Sequence, residues 1–141
     1  MEENPFEHCA PEREHDLSPH GVRLRIHEWG DPGAPAIVMA HGMFDHGRGF
    51  DAIAPFLAEH FRLVSVTSRG HGDSAWADAY FWRVDVVDLI GVLEWLGRPA
   101  HLLEDSRAGA GPAEVLWGVD GSSRIRDEGI MPLIGFRDET R

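Results

Sequence analysis

The chain of 141 residues is poor in cysteine, in basic residues and in long apolar runs. It has one cysteine, Cys9, which excludes an internal disulfide and fits a reducing compartment. Basic residues number 13 against 24 acidic ones, a net charge of −11. No basic stripe emerges, which argues against a nucleic-acid partner. No apolar stretch approaches the length of a membrane span, and the N-terminus lacks a signal-peptide hydrophobic region. The expectation is a cytoplasmic protein without a membrane partner. Its hydrophobic content of 43% is that of a globular domain with a core of its own.

Residues 1–20 are rich in Glu, His and Pro without periodicity and read as a disordered acidic tail, with a domain over 21–141. His8, Cys9, His15 and His20 are metal-binding types, but their irregular spacing favours a solvated tail. No metal or cofactor is expected.

Val22, Leu24 and Ile26 alternate with Arg23, Arg25 and His27, the period of a half-buried strand. The apolar run 36–40, AIVMA, reads as a strand covered on both faces. Phe50, Ile53, Ala54 and Leu57 share one helical face. Residues 61–66 predict a strand. Val86, Val87, Ile90, Leu93 and Leu96 predict a helix, with Asp85 and Asp88 at its positive end and Gly97 and Pro99 closing it. Residues 100–103 predict a strand, 112–119 a weak helix and 130–136 a final strand interrupted by Pro132. Strands alternating with helices indicate an α/β fold, with a mainly parallel sheet of about five strands flanked by helices. Such sheets bind ligands at the carboxyl ends of their strands. The loops that matter therefore follow Ala40, Val66 and Leu103.

Those loops read His41-Gly42-Met43-Phe44, then Arg69-Gly70-His71-Gly72-Asp73-Ser74, then a stretch holding Ser106. In this order the chain from about 21 to 136 resembles the N-terminal half of the α/β-hydrolase family, in its serine-hydrolase, esterase-type branch. The resemblance implies that Ser106 stands at the nucleophile's position. It also implies that the backbone N–H groups of Met43 and Arg107 form the oxyanion hole for a small ester or related acyl substrate. His41 reads as structural, His46 as a loop or helix-end residue, and His71 as too early in the chain for the family's base. Asp73-Ser74 reads as a cap for the following segment. Trp76, Tyr80, Phe81 and Trp82 suit a pocket rim or ordinary packing equally.

The sequence departs from the family's elbow, G-x-S-x-G. Residues 104–108 are Glu104-Asp105-Ser106-Arg107-Ala108, so both glycines are replaced and a carboxylate adjoins the hydroxyl. Pro112 inside a helix beginning at Ser106 would cost about 3 kcal/mol. Thr67 stands where the family commonly has aspartate. The acid and histidine that the family places on later loops have no residues here, so the truncated domain is expected to be inactive alone. The alternative is a non-catalytic module that binds a small ligand or self-associates through an open sheet edge.

Overall fold

A computed structural model of the chain describes residues 9–104. The strands β1 (Arg13–Leu17), β2 (Leu24–Trp29), β3 (Ala36–Ala40), β4 (Arg62–Val66) and β5 (Ala100–Glu104) form one sheet in the order β1-β2-β4-β3-β5. β3 runs parallel to both β4 and β5, whereas β1–β2 and β2–β4 are antiparallel. The expected α/β architecture holds, with a mixed sheet over the described residues. The parallel pairs follow from the two crossovers. A 3-10 helix (Gly47–Phe50) and α1 (Ala54–Ala58) link β3 to β4, and α2 (Trp82–Leu96) links β4 to β5.

Residues alternate faces along each strand, so the sheet carries two cores. Leu24, Val38, Val64 and Leu102 pack with Val92, Leu93 and Leu96 of α2. Trp29, Ile37, Met39 and Leu63 pack with Phe50 and Ala54. β3 is buried throughout, as its continuous apolar run predicts.

Several expectations are corrected. Arg13–Leu17, read as tail, form the edge strand β1 against β2. The helix expected from Phe50 onward is broken into a 3-10 turn and the short α1, and Ile53 faces solvent. α2 starts at Trp82, so Asp88 sits in its second turn rather than at its start. Val87 is exposed, and Val92 takes a place in the buried stripe. His27, expected on the polar face of β2, is buried. The residues expected to form the weak helix 112–119 and the strand 130–136 lie outside the described residues, as do residues 1–8. Among the described residues no helix is long and apolar enough to cross a membrane.

Candidate functional site

The carboxyl ends of the three parallel strands are level. Ala40 pairs with Val66 on one side and with Glu104 on the other. Three chain exits therefore stand side by side, with the His41-Gly42 loop in the middle. Ser106 and Arg107 lie outside the described residues, two and three positions beyond Glu104.

The middle loop is built around one peptide. His41 is buried, and its Nδ1–H donates to the Gly42 carbonyl at 2.7 Å. Its Nε2 accepts the Ser68 N–H at 2.9 Å, which fixes the tautomer. The Gly42 carbonyl also accepts the Asp45 N–H at 3.3 Å, closing a tight turn with Met43 and Phe44 at its tip. A trans peptide carries its N–H opposite its carbonyl. Fixing the Gly42 carbonyl thus fixes the Met43 N–H, the expected oxyanion donor. Met43 and Phe44 are exposed, Phe44 almost fully.

His71 joins the second loop to the first. Its Nε2 lies 2.6 Å from the Met43 carbonyl and its Nδ1 lies 2.9 Å from the Arg69 carbonyl. Its ring tilts against that of His41 at 5.1 Å between centroids. Both histidines therefore commit their ring nitrogens to backbone, in agreement with a structural reading of each. Gly70 and Gly72 take positive φ of 71° and 43°, the left-handed turns that glycine permits. A Cβ at Gly70 would also collide with the Tyr80 ring.

The second loop is anchored from below. The Arg69 guanidinium makes a two-point pair with Asp88 of α2, at 2.7 and 2.8 Å, and a third bond to the Ala79 carbonyl at 3.2 Å. Both side chains are buried. The hydrogen bond to Asp88 raises the Arg69 pKa further, against the pull of burial. Ser74 does not cap the next segment. Its hydroxyl donates to the Thr67 carbonyl at 2.6 Å and accepts the Arg25 N–H at 2.8 Å, tying the loop to β2.

Thr67 replaces the family's usual carboxylate with a hydroxyl that acts across to the first loop. Its Oγ1 accepts the Gly47 N–H at 2.9 Å and lies 3.2 Å from His27 Nε2. The Ser65 hydroxyl donates to the Gly47 carbonyl at 2.7 Å. His46 caps the 3-10 helix, its Nδ1 accepting the Arg48 N–H at 3.2 Å. The pair Arg69–Asp88 and the group His27–Thr67–Ser65 escape sequence reading. Each joins residues distant in the chain, and only the polar residues at the ends of apolar strands hint at them.

Trp76, Tyr80 and Phe81 are exposed, which fits a rim more than core packing. Of the tail residues expected to be solvated, Cys9 and His15 are engaged: the Cys9 carbonyl accepts the Trp29 Nε1–H at 2.8 Å, and His15 binds Glu28 at 2.5 Å, whereas His20 is exposed. Among the described residues no group of three His, Cys, Asp or Glu is placed to hold a metal ion.

No known family profile matches the chain. It is similar to the probable oxidoreductase EphD of Mycobacterium tuberculosis, 35% identical over 115 residues, covering 77% of this chain and 19% of that protein. It is similar also to the 3-hydroxybutyrate-oligomer hydrolase of Cupriavidus necator, 40% identical over 94 residues, covering 57% of this chain and 32% of that one. The crystal structure of epoxide hydrolase A from Mycobacterium thermoresistibile superposes with a TM-score of 0.61 at 29% identity, over 65% of this chain and 30% of that one. The chain thus spans between about a fifth and a third of these relatives. They are hydrolase-fold proteins matched in their N-terminal region. The described residues carry the N-terminal portion of the α/β-hydrolase fold, and it is to that family that the chain is related.

Proposed function

We propose that the loops at the carboxyl ends of β3, β4 and β5 form an acyl-binding site of the serine-hydrolase type, for a small ester or a related acyl compound. In this reading the Met43 and Arg107 N–H groups face the acyl oxygen and Ser106 stands at the nucleophile's position. One observation carries it. His41 holds the Gly42–Met43 peptide by its carbonyl, at a strand end level with Glu104, so the Met43 N–H is preorganised beside the strand end from which the chain runs on to Ser106. Donors fixed before the substrate arrives need no reorganisation when negative charge develops.

The same residues argue against turnover by this chain unaided. A serine needs a base within hydrogen-bond reach. His41 and His71 both direct their ring nitrogens at backbone groups, and His46 uses Nδ1 to cap the 3-10 helix. Glu104 and Ala108 replace the glycines that let a nucleophile turn pack closely, and the Asp105 carboxylate opposes a second negative charge. The site then binds an acyl group without hydrolysing it efficiently.

The test is turnover of a short-chain aryl ester by the whole chain and by Ser106→Ala, with the Met43 amide followed by NMR during titration with a short carboxylate. The expected result is no Ser106-dependent turnover, with a saturable shift of the Met43 amide. Activity lost in Ser106→Ala would overturn the inactivity. A Met43 amide indifferent to the carboxylate would overturn the oxyanion site.

A further inference from the structure

The loop that carries Met43 ends at Gly47, and Gly47 is held by a buried polar chain that the proposed acyl site does not use. The chain begins on β1 with Glu14, whose Oε1 lies 2.9 Å from Nδ1 of His27 on β2. It continues from His27 Nε2 to the Thr67 hydroxyl and from there to the Gly47 N–H. His27 and Thr67 are both within 2% of full burial. The space around Gly47 is filled as well, since a Cβ there would lie 2.6 Å from His27 Cδ2 and 2.6 Å from Thr67 Oγ1.

The donors and acceptors close only with one protonation state. Neutral His27 donates Nδ1–H to Glu14 and accepts the Thr67 hydroxyl proton at Nε2. Thr67 Oγ1 then keeps a lone pair for the Gly47 N–H. Every group is satisfied. With a proton added, Nε2 becomes a donor and must also be accepted by Thr67. The Thr67 hydroxyl proton loses Nε2 as its acceptor, and Oγ1 must take both the His27 and the Gly47 N–H on its two lone pairs. Two donors then compete for one buried oxygen, one of them carried by a cation, so the hold on Gly47 weakens.

We propose that His27 is a proton-operated latch on the Met43 loop, closed when the imidazole is neutral and opened when it is protonated. Its bearing on acyl binding rests on the reading of that loop given above, whereas the latch itself does not. The groups that face His27 are Glu14 from β1, Arg25 on its own strand, Arg48 from the 3-10 helix, and Thr67 just past the end of β4. Burial lowers the His27 pKa below its ordinary 6.5, and the hydrogen bond and charge of Glu14 pull the other way. Arg48 and Arg25 act with burial. The latch is therefore closed at neutral pH and opens on acidification. The device regulates the geometry of one loop, since Gly47, at the start of the 3-10 helix, is four residues beyond Met43.

The experiment is amide hydrogen exchange of the full chain by NMR from about pH 7.5 to about pH 5, with rates corrected for intrinsic exchange. Gly47 reports the latch, and Val64 in the middle of β4 reports global opening. Gly47 protection is expected to fall roughly tenfold on acidification, and by more than Val64 protection falls. In Thr67→Val the Gly47 protection should be low at both pH extremes. In Glu14→Gln, a substitution at a half-exposed site, the imidazolium loses its counter-charge and the opening moves to lower pH. Gly47 protection that is constant with pH, or that falls only in step with Val64, overturns the latch. So does an unchanged midpoint in Glu14→Gln, which keeps the test decisive should Thr67→Val fail to fold. None of these readouts depends on acyl binding, so a Met43 amide blind to carboxylate would leave the latch standing.

Discussion

Removing the Asp88 carboxylate should be among the most damaging single changes in the domain. The Arg69 guanidinium gives two of its N–H groups to Asp88, and both side chains are under a tenth exposed. Asp88→Ala removes both charge-assisted bonds and leaves the buried cation with the Ala79 carbonyl, at 3.2 Å, and the attraction of Asp85. Breaking a buried ion pair from one side typically costs about 3–5 kcal/mol, because the remaining charge stays out of water. Against a domain stability of about 5–15 kcal/mol, that is a large fraction. Arg69→Met with Asp88→Leu makes the contrast. The pair is replaced by apolar groups of similar size, and the loss shrinks to about 1 kcal/mol for the Ala79 carbonyl left without its donor. Urea denaturation followed by tryptophan fluorescence and by circular dichroism measures both variants, and the slope should not change. If Asp88→Ala loses less than about 1 kcal/mol, water reaches the guanidinium and the argument from burial is refuted. If the double variant is as unstable as the single one, the pair is doing more than neutralising itself.

Further changes test the frame of the domain. Gly47→Ala forces a Cβ to within 2.6 Å of the His27 and Thr67 side chains, and should cost about 1–3 kcal/mol in the same denaturation assay. Gly30 has φ of +81° and no room toward the Phe61 carbonyl, so Gly30→Ala should lower the melting temperature by several degrees, whereas Gly21→Ala, with φ of +82° but open space, should lower it less. Glu28 is buried, which by itself raises its pKa, but hydrogen bonds from His15 and Arg62 outweigh burial and hold the pKa below 4.5. A folded-state pKa below the unfolded one gives stability that is present above pH 4.5 and is lost as pH falls through the lower folded value. Stability measured against pH should decline in that window, and the decline should be shallower in Glu28→Gln, which also lacks the charge at neutral pH and starts less stable.

The apolar strands were legible because each of their faces meets a core. Ala36–Ala40 is buried at every position, and its sequence is apolar at every position. β1 was not legible, for a physical reason. Its side chains meet β2 through charge: Glu14 with His27, His15 with Glu28, Asp16 with Arg25. A strand that docks by ion pairs has no hydrophobic period to read. The His41-Gly42 and Arg69-Gly70-His71-Gly72 loops were legible from residue order, but their wiring was not. Nothing local in the chain says that Arg69 reaches Asp88 or that Thr67 reaches Gly47, since these bonds depend on the packing of α2 and of the 3-10 helix on the sheet. The nucleophile position, Ser106, remains a reading of the sequence, as it lies outside the described residues.

The charged face of β1 carries a consequence for the behaviour of the chain in different buffers. Glu14 and Asp16 are each more than two-fifths exposed, so their pairs with Arg25 sit where mobile ions reach them. The screening length in about 0.15 M salt is roughly 8 Å and shrinks to roughly 3 Å in 1 M salt. The apolar contacts that hold β3, β4 and β5 together are indifferent to that change. Rising ionic strength therefore loosens this one edge strand ahead of the remainder of the sheet, and an edge so uncovered belongs to β2, whose buried face holds Leu24 and Ile26. The prediction is that this acidic chain pairs with its own copies first at high salt, and light scattering against salt concentration checks it.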